Sequence, residues 1–169
     1  MRERQASQGA RRAREFEAFV AGAAGRLLHA ATLLTAESSD DNPRARRLLT
    51  ASLAHTYASW DRLRGEDPYD RTRQQLAVRF ARGAWHQYGA LGWSHLRGRP
   101  NACGALHRLA PQERLILVLR FFEGVAEEQT AALLGLPLER VQAIGARAMA
   151  NLLHPPREAA PAVAKMVPS

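Results

Sequence analysis

Between Leu138 and Leu153 the chain reads LERVQAIGARAMANLL. At 3.6 residues per helical turn, Arg140, Ala143, Ile144, Arg147 and Asn151 share one face, opposite Val141, Ala148, Met149 and Leu152. An arginine on such a face can fork onto a guanine edge, whereas alanine and isoleucine methyls can touch a thymine methyl but read no guanine. The chemistry open to this face is recognition of a nucleic acid, not bond making. The rest of the chain supplies no nucleophile–base pair, no phosphate loop and no metal set. Cys103 and His107 are four apart, but two ligands without further partners do not make a metal site. No catalytic residue, metal or cofactor is expected, and the chain does not read as an enzyme.

The elements that must position this face lie just upstream. In LAPQERLILVLRFFEG, Leu115, Val118, Leu119 and Phe122 recur at i, i+3, i+4 and i+7, with Pro111 near the start and Gly124 at the end. Glu127 to Leu134 follows, acidic in its first turn, and is closed by Gly135. A short helix, a glycine turn and a longer helix make a helix-turn-helix. Ala126 and Pro137 stand where a capping side chain would serve, each at a cost of roughly 1 kcal/mol. Gly145 inside the last helix costs roughly another 1 kcal/mol relative to alanine.

Charge is distributed unevenly. The 169 residues carry a net charge of +8; residues 1–102 hold 17 Arg against 10 acidic residues, while residues 103–154 hold 5 of each. A basic protein of this size suits a polyanion, but the helix-turn-helix half is neutral and would add little phosphate attraction. The single cysteine, Cys103, excludes an internal disulfide and fits a reducing cytoplasm. No run approaches about 18 continuous apolar residues, and the basic N-terminus has no apolar core behind it. A cytoplasmic protein without a membrane partner is expected.

The first half reads as three helices. Glu15 to Leu34 carries a stripe of Phe16, Phe19, Val20, Ala23 and Leu27. Residues 1–14, rich in arginine, read as a disordered arm that is either a nucleic-acid contact or a solvated tail. ESSDDNP (37–43) is a loop; Arg44 to Leu63 and Tyr69 to Tyr88 are the next helices. The third carries Arg79, Arg82 and Trp85, a basic and aromatic set suited to unstacked bases. Residues 89–104, glycine-rich, read as a linker, and residues 155–169 as a disordered Pro/Ala tail.

Residues 109–153 resemble region 4 of the sigma-70 family, in its two-domain extracytoplasmic-function (ECF) branch. The matching positions are Leu109, Pro111, Arg114, Leu119-Arg120, Glu123-Gly124, Glu128, Thr130-Ala131, Leu133-Leu134-Gly135, Val141, Arg147-Ala148 and Leu152, without a gap over about 45 residues. Glu15-Phe16, Phe19-Val20, Leu27-Leu28 and Leu33-Leu34-Thr35 resemble the first helix of sigma region 2, and Ala54 to Trp60 fits the ALARTYxxW segment. The resemblance assigns promoter recognition to the last helix, through Arg140, Gln142, Ala143 and Arg147, with Gln142-Ala143 standing where the family has Lys-Ser. It assigns −10 DNA to the third helix, at Arg79, Arg82 and Trp85. It assigns docking on core RNA polymerase to Arg47, Leu48, Leu49, Thr50 and Ala51, where the family shows an acidic DLVQE run. Here an Asp has become Arg47, flanked by Arg44 and Arg46, and the Gln-Glu pair is gone.

These readings imply an all-α fold of two small helical domains, a region-2-like unit over 15–88 and a region-4-like unit over 105–154, joined by a flexible linker. Each lobe is expected to close its own core. The partners implied are promoter DNA, bacterial RNA polymerase core and an anti-sigma or other protein regulator. Two mechanisms stay open: a working ECF sigma factor, or a divergent sigma-like protein that has lost normal core binding and acts through protein contacts. Ile144 either lies on the working face, ready for a protein partner, or packs on its own lobe.

Overall fold

The first helix of the computed structural model, α1 (Arg2–Thr35), owes its place to one buried stripe: Leu27, Ala30, Ala31 and Leu34 are at most 2% exposed. Backbone is described for residues 2–63, 65–90 and 104–154, and side chains for 6–63, 65–84 and 104–154. The helix starts upstream of Glu15, so described residues of the expected unstructured arm are helical. Arg12 gives the reason. Its guanidinium lies 4.3 Å from the Tyr57 ring centroid, pairs with Asp61 at 3.0 Å and donates to the Tyr57 carbonyl. Over Ala6–Thr35 the helix is long and apolar enough to cross a membrane by length and composition, but its C-terminal half places Leu27, Ala30, Ala31 and Leu34 in the core.

α2 (Pro43–Ala58) begins with a proline in its first turn, and a single 3₁₀ turn, Trp60–Arg62, follows it. α3 (Pro68–Ala90) also begins at a proline, where a missing N–H costs nothing; Asp67 Oδ1 accepts the Tyr69 N–H at 2.8 Å. These three helices enclose Ala23, Leu27, Ala31, Ala45, Leu49 and Leu76. Small residues bring α2 and α3 close, and the buried hydroxyls of Thr56 and Thr72 bond each other at 2.9 Å.

The second half opens with a 3₁₀ turn, Ala105–Arg108, then α4 (Pro111–Leu117), which widens into a π turn over Val118–Phe122. α5 (Glu127–Leu134) and α6 (Leu138–Leu153) have the bounds that the periodicity predicts. Between them Gly135 adopts the left-handed conformation (φ 63°, ψ 36°), and the Leu136 N–H returns to the Ala131 carbonyl at 3.0 Å. That 6→1 bond is a Schellman stop, which favours glycine at this position. Neither Ala126 nor Pro137 makes a side-chain cap. A methyl at Gly145 would meet only the Ile116 Cγ2 atom, at 3.6 Å, so packing does not demand glycine there.

No β-strand occurs among the described residues, and the all-α expectation holds. Each half does have buried clusters of its own, but they are not the whole of the packing. The second half has private clusters, one of Ile116, Ala131, Val141 and Ile144 and another of Leu109, Leu117 and Ala148. A further cluster joins Ala30, Leu34 and Ala77 of the first half to Leu115, Val118, Leu119 and Val125 of the second. α4 is apolar on more than one side: Leu115 through Leu119 are all buried. One face serves its own lobe and another faces α1 and α3, so the halves share a core.

Candidate nucleic-acid interface

α6 presents Glu139, Arg140, Gln142, Ala143, Ala146, Arg147, Ala150 and Asn151 to solvent. Its inner face is set by Val141, Ile144 and Ala148, each at most 5% exposed. Ile144 therefore does not belong to the working face. It packs with Ile116, Ala131 and Val141, because α4 and α5 approach α6 from the side that a simple wheel leaves open. The exposed face is polar and otherwise small, so the helix backbone can come close to a partner.

Arg147 is aimed by a carboxylate beneath it. Its Nε donates to Glu113 Oε1 at 2.9 Å; the Arg147 side chain is 64% exposed and that of Glu113 only 8%. Glu113 also accepts the Ala110 N–H through its other oxygen, at 2.9 Å, so the carboxylate is fixed from two sides. The remaining guanidinium N–H groups of Arg147 are left for a ligand. Gln142 is engaged as well, its amide donating to Glu127 Oε2 at 2.8 Å. Arg140 is exposed and its side chain makes no hydrogen bond or ion pair with a described residue. Arg120 is committed to the Val125 carbonyl and Glu127, and Arg114 is buried. The neutral lobe thus commits Arg114, Arg120 and part of Arg147 to itself and leaves Arg140, the tip of Arg147 and the exposed Arg108 for phosphates or bases.

On α3, Arg79 and Arg82 are exposed one turn apart. Trp85 lies on the same helix, but its side chain is outside the described residues, as is that of Tyr88. The structure adds a feature not foreseen from the sequence, a cavity of about 270 Å³ at the α2–α3 junction. It is lined by His55, Ala58, Ser59, Arg62, Leu63, Glu66 and Arg71. Arg71 Nε is buried there without a hydrogen-bond partner. Arg62 and Arg71 are visible in the sequence as arginines around GEDPY, but they are nine residues apart and only the turn brings them together.

The segment Arg47 to Ala51 lies on α2, with Arg47 and Thr50 exposed, Leu48 and Ala51 half-buried and Leu49 buried. The three arginines at its start are not equivalent. Arg44 donates from Nε to Glu37 Oε1 at 3.0 Å and from Nη2 to the Thr35 carbonyl at 2.9 Å. Arg46 donates to Asn42 Oδ1 at 2.8 Å. Only Arg47 has no such bond to a described residue, so the charge inversion narrows from three arginines to one.

Glu37 does more than hold Arg44. Its two oxygens accept the Arg44 N–H at 3.1 Å and the Ala45 N–H at 2.8 Å, capping α2 from outside the helix. The Thr35 hydroxyl donates to it at 2.9 Å. Burial pushes the carboxyl upward, but the Ala45 N–H, the Arg44 guanidinium and N–H and the Thr35 hydroxyl outweigh it and hold it below the ordinary carboxylate value.

Comparison with known proteins agrees with this arrangement. Residues 105–154 match the family model for sigma-70, region 4. Over 153 residues the chain is 28% identical to the RNA polymerase sigma-E factors of Streptomyces avermitilis and Streptomyces coelicolor. The alignments cover 82% of this chain and 83% and 84% of those proteins. No solved structure matches the chain.

Proposed function

We propose that this chain, which belongs to the ECF branch of the sigma-70 family, is a sigma factor that binds promoter DNA and directs transcription initiation with core RNA polymerase. It works in the cytoplasm, as a non-enzymatic subunit, and an anti-sigma or other protein regulator is its natural control. The observation that carries this reading is the α4–α6 unit: a helix-turn-helix whose outer face holds two arginines, one aimed outward by a buried carboxylate.

The site assignments are those the family resemblance implies, supported by the exposure of Arg140, Arg147, Arg79, Arg82 and Arg47. Arg140 and Arg147, with Gln142 and Ala143 between them, face the major groove of the upstream promoter element. Arg79, Arg82 and Trp85 on α3 serve the melted −10 strand, and the cavity at the other end of α3, two or more helical turns away, offers Arg62, Arg71, His55 and Ser59 to an unstacked nucleotide. Arg47 to Ala51 meet the polymerase. In this assignment residues 15–88 and 105–154 are the two functional units and 89–104 joins them. The second reading, a sigma-like regulator without normal core binding, is favoured only by Arg47 standing where the family carries an acid.

The test is selection of duplexes from a random pool by the full chain bound to core polymerase. Enrichment of a two-element promoter is expected. Arg147→Ala should weaken binding by about 1–3 kcal/mol and relax one base position, while Arg140→Ala weakens all sequences alike. With so few free cations on the second lobe, its share of the salt dependence should be only about two or three phosphates. A pool that emerges unenriched, or an Arg147→Ala chain with unchanged selectivity, contradicts the assignment of α6.

A further inference from the structure

Where the π turn ends, the second lobe inserts a carboxylate into the first. The Glu123 N–H bonds the Val118 carbonyl at 2.9 Å, five residues back, and Gly124 (φ 68°) turns the chain so that the Val125 N–H reaches the Leu119 carbonyl at 2.9 Å. This wide turn sends Phe122 and Glu123 toward α1 and α3. The Glu123 side chain is only 1% exposed. Tyr69 Oη donates to it, 3.0 Å from each oxygen, and Arg26 and Arg73 approach those oxygens at 3.8 Å. Arg26 also donates to the Phe122 carbonyl at 3.2 Å, and His29 packs on the Phe122 ring at 4.9 Å between centroids. Among the described residues, the side-chain partners of Glu123 all come from the other half of the chain. The Tyr69 hydroxyl is pushed up to about 12, by burial first and then by the Glu123 charge, so it remains a donor.

The apolar surface around this socket includes groups assigned above to other work. Leu48, in the polymerase-facing segment, packs against the shared core, as do Phe80 and Ala81, which lie between Arg79 and Arg82. We propose that the Glu123 socket is a latch that holds the second lobe over Leu48, Phe80 and Ala81, leaving Arg47, Thr50, Arg79 and Arg82 exposed around its edge, so that core polymerase must break it to reach the whole of that surface. The device rests on the sigma-factor reading for what it masks; the latch itself rests on geometry alone. It is a two-state element: when closed, the carboxylate accepts the Tyr69 hydroxyl and lies 3.8 Å from two guanidinium groups, of which Arg73 also pairs with Asp70 at 3.1 Å, and when open water solvates these groups. A polymerase that binds only the open form sees its affinity reduced by the open fraction.

The test uses the full chain and two readouts, the radius of gyration in solution and the affinity for core polymerase. Glu123→Lys sets like charges against Arg26 and Arg73 and is expected to expand the molecule at unchanged helix content. It should bind core about 5- to 150-fold more tightly, the usual range of an intramolecular coupling. Arg26→Glu added to Glu123→Lys should restore both compactness and weak binding, which damage to the fold would not do. Should Glu123→Lys fail to fold, Tyr69→Phe combined with Arg26→Ala removes the same contacts from the other side and should also expand the chain. Variants that stay as compact as wild type overturn the latch. Expansion without tighter binding, while wild type binds core, overturns the masking. Expanded variants and wild type that all fail to bind core refute the sigma-factor reading, and the masking with it, while the expansion still supports the latch.

Discussion

Replacing Glu37 by alanine is expected to remove about 3 kcal/mol of folding stability, measured as the shift in urea-unfolding free energy of the full chain. The residue is 7% exposed and one carboxylate satisfies four donors: two backbone N–H groups, a guanidinium and a hydroxyl. Asn42 at the start of α2 makes no side-chain cap, and the first turn of that helix carries no acidic residue. Glu37 is therefore the negative group at the positive end of the helix, and removing it leaves the Ala45 N–H without its partner. The pH dependence has a definite sign. The carboxyl is held below its ordinary value, so the unfolded chain takes up the proton more readily than the folded one. The stabilisation is complete above about pH 4.3, the free carboxylate value, and disappears as pH falls through the lower folded value. Glu37→Gln should lose this part of the acid dependence. A loss below about 1 kcal/mol for the alanine variant would mean that water replaces the cap without cost.

Arg47→Asp is expected to tighten binding to core polymerase by about tenfold or more, since like charges juxtaposed at an interface cost several kcal/mol. The structure sharpens the case. Arg44 and Arg46 are held by Glu37 and Asn42, and Arg47 is the one cation of the three left facing outward without a bond to a described residue. Adding Thr50→Gln and Ala51→Glu, which restores the family's pair, should extend the gain, most clearly at low salt where exposed charges are least screened. Titration of labelled chain with core polymerase at two salt concentrations reads the effect. Equal affinity of wild type and Arg47→Asp would show that this position lies outside the contact.

Much of the second half was legible because its signals are local. Gly135, the acidic first turn at Glu127 and the apolar spacing set the bounds of α5 and α6 within short windows. The direction of Ile144 was not, because its burial depends on Ile116 and Ala131, brought over by the angle between helices rather than by the period of α6. ESSDDNP reads as a loop of polar residues, and nothing in its composition says that Glu37 turns inward to cap α2. Glu123 reads as one letter of a motif; its partners Arg26, Tyr69 and Arg73 are 50 or more residues away. Shared burial across the two halves has no periodic signature, since an apolar residue facing its own lobe and one facing the other look alike. The arginines of the candidate site were visible as residue types. Which of them are spent on internal carboxylates became apparent only from the fold.

The central claim, that the chain works as a sigma subunit, is tested most directly by complex formation between the full chain and bacterial core RNA polymerase, with a second sigma factor as competitor. The account predicts a one-to-one complex that the competitor displaces, weak for wild type and stronger for Glu123→Lys. A folded chain that forms no such complex in either form, or one that the competitor does not displace, would contradict it.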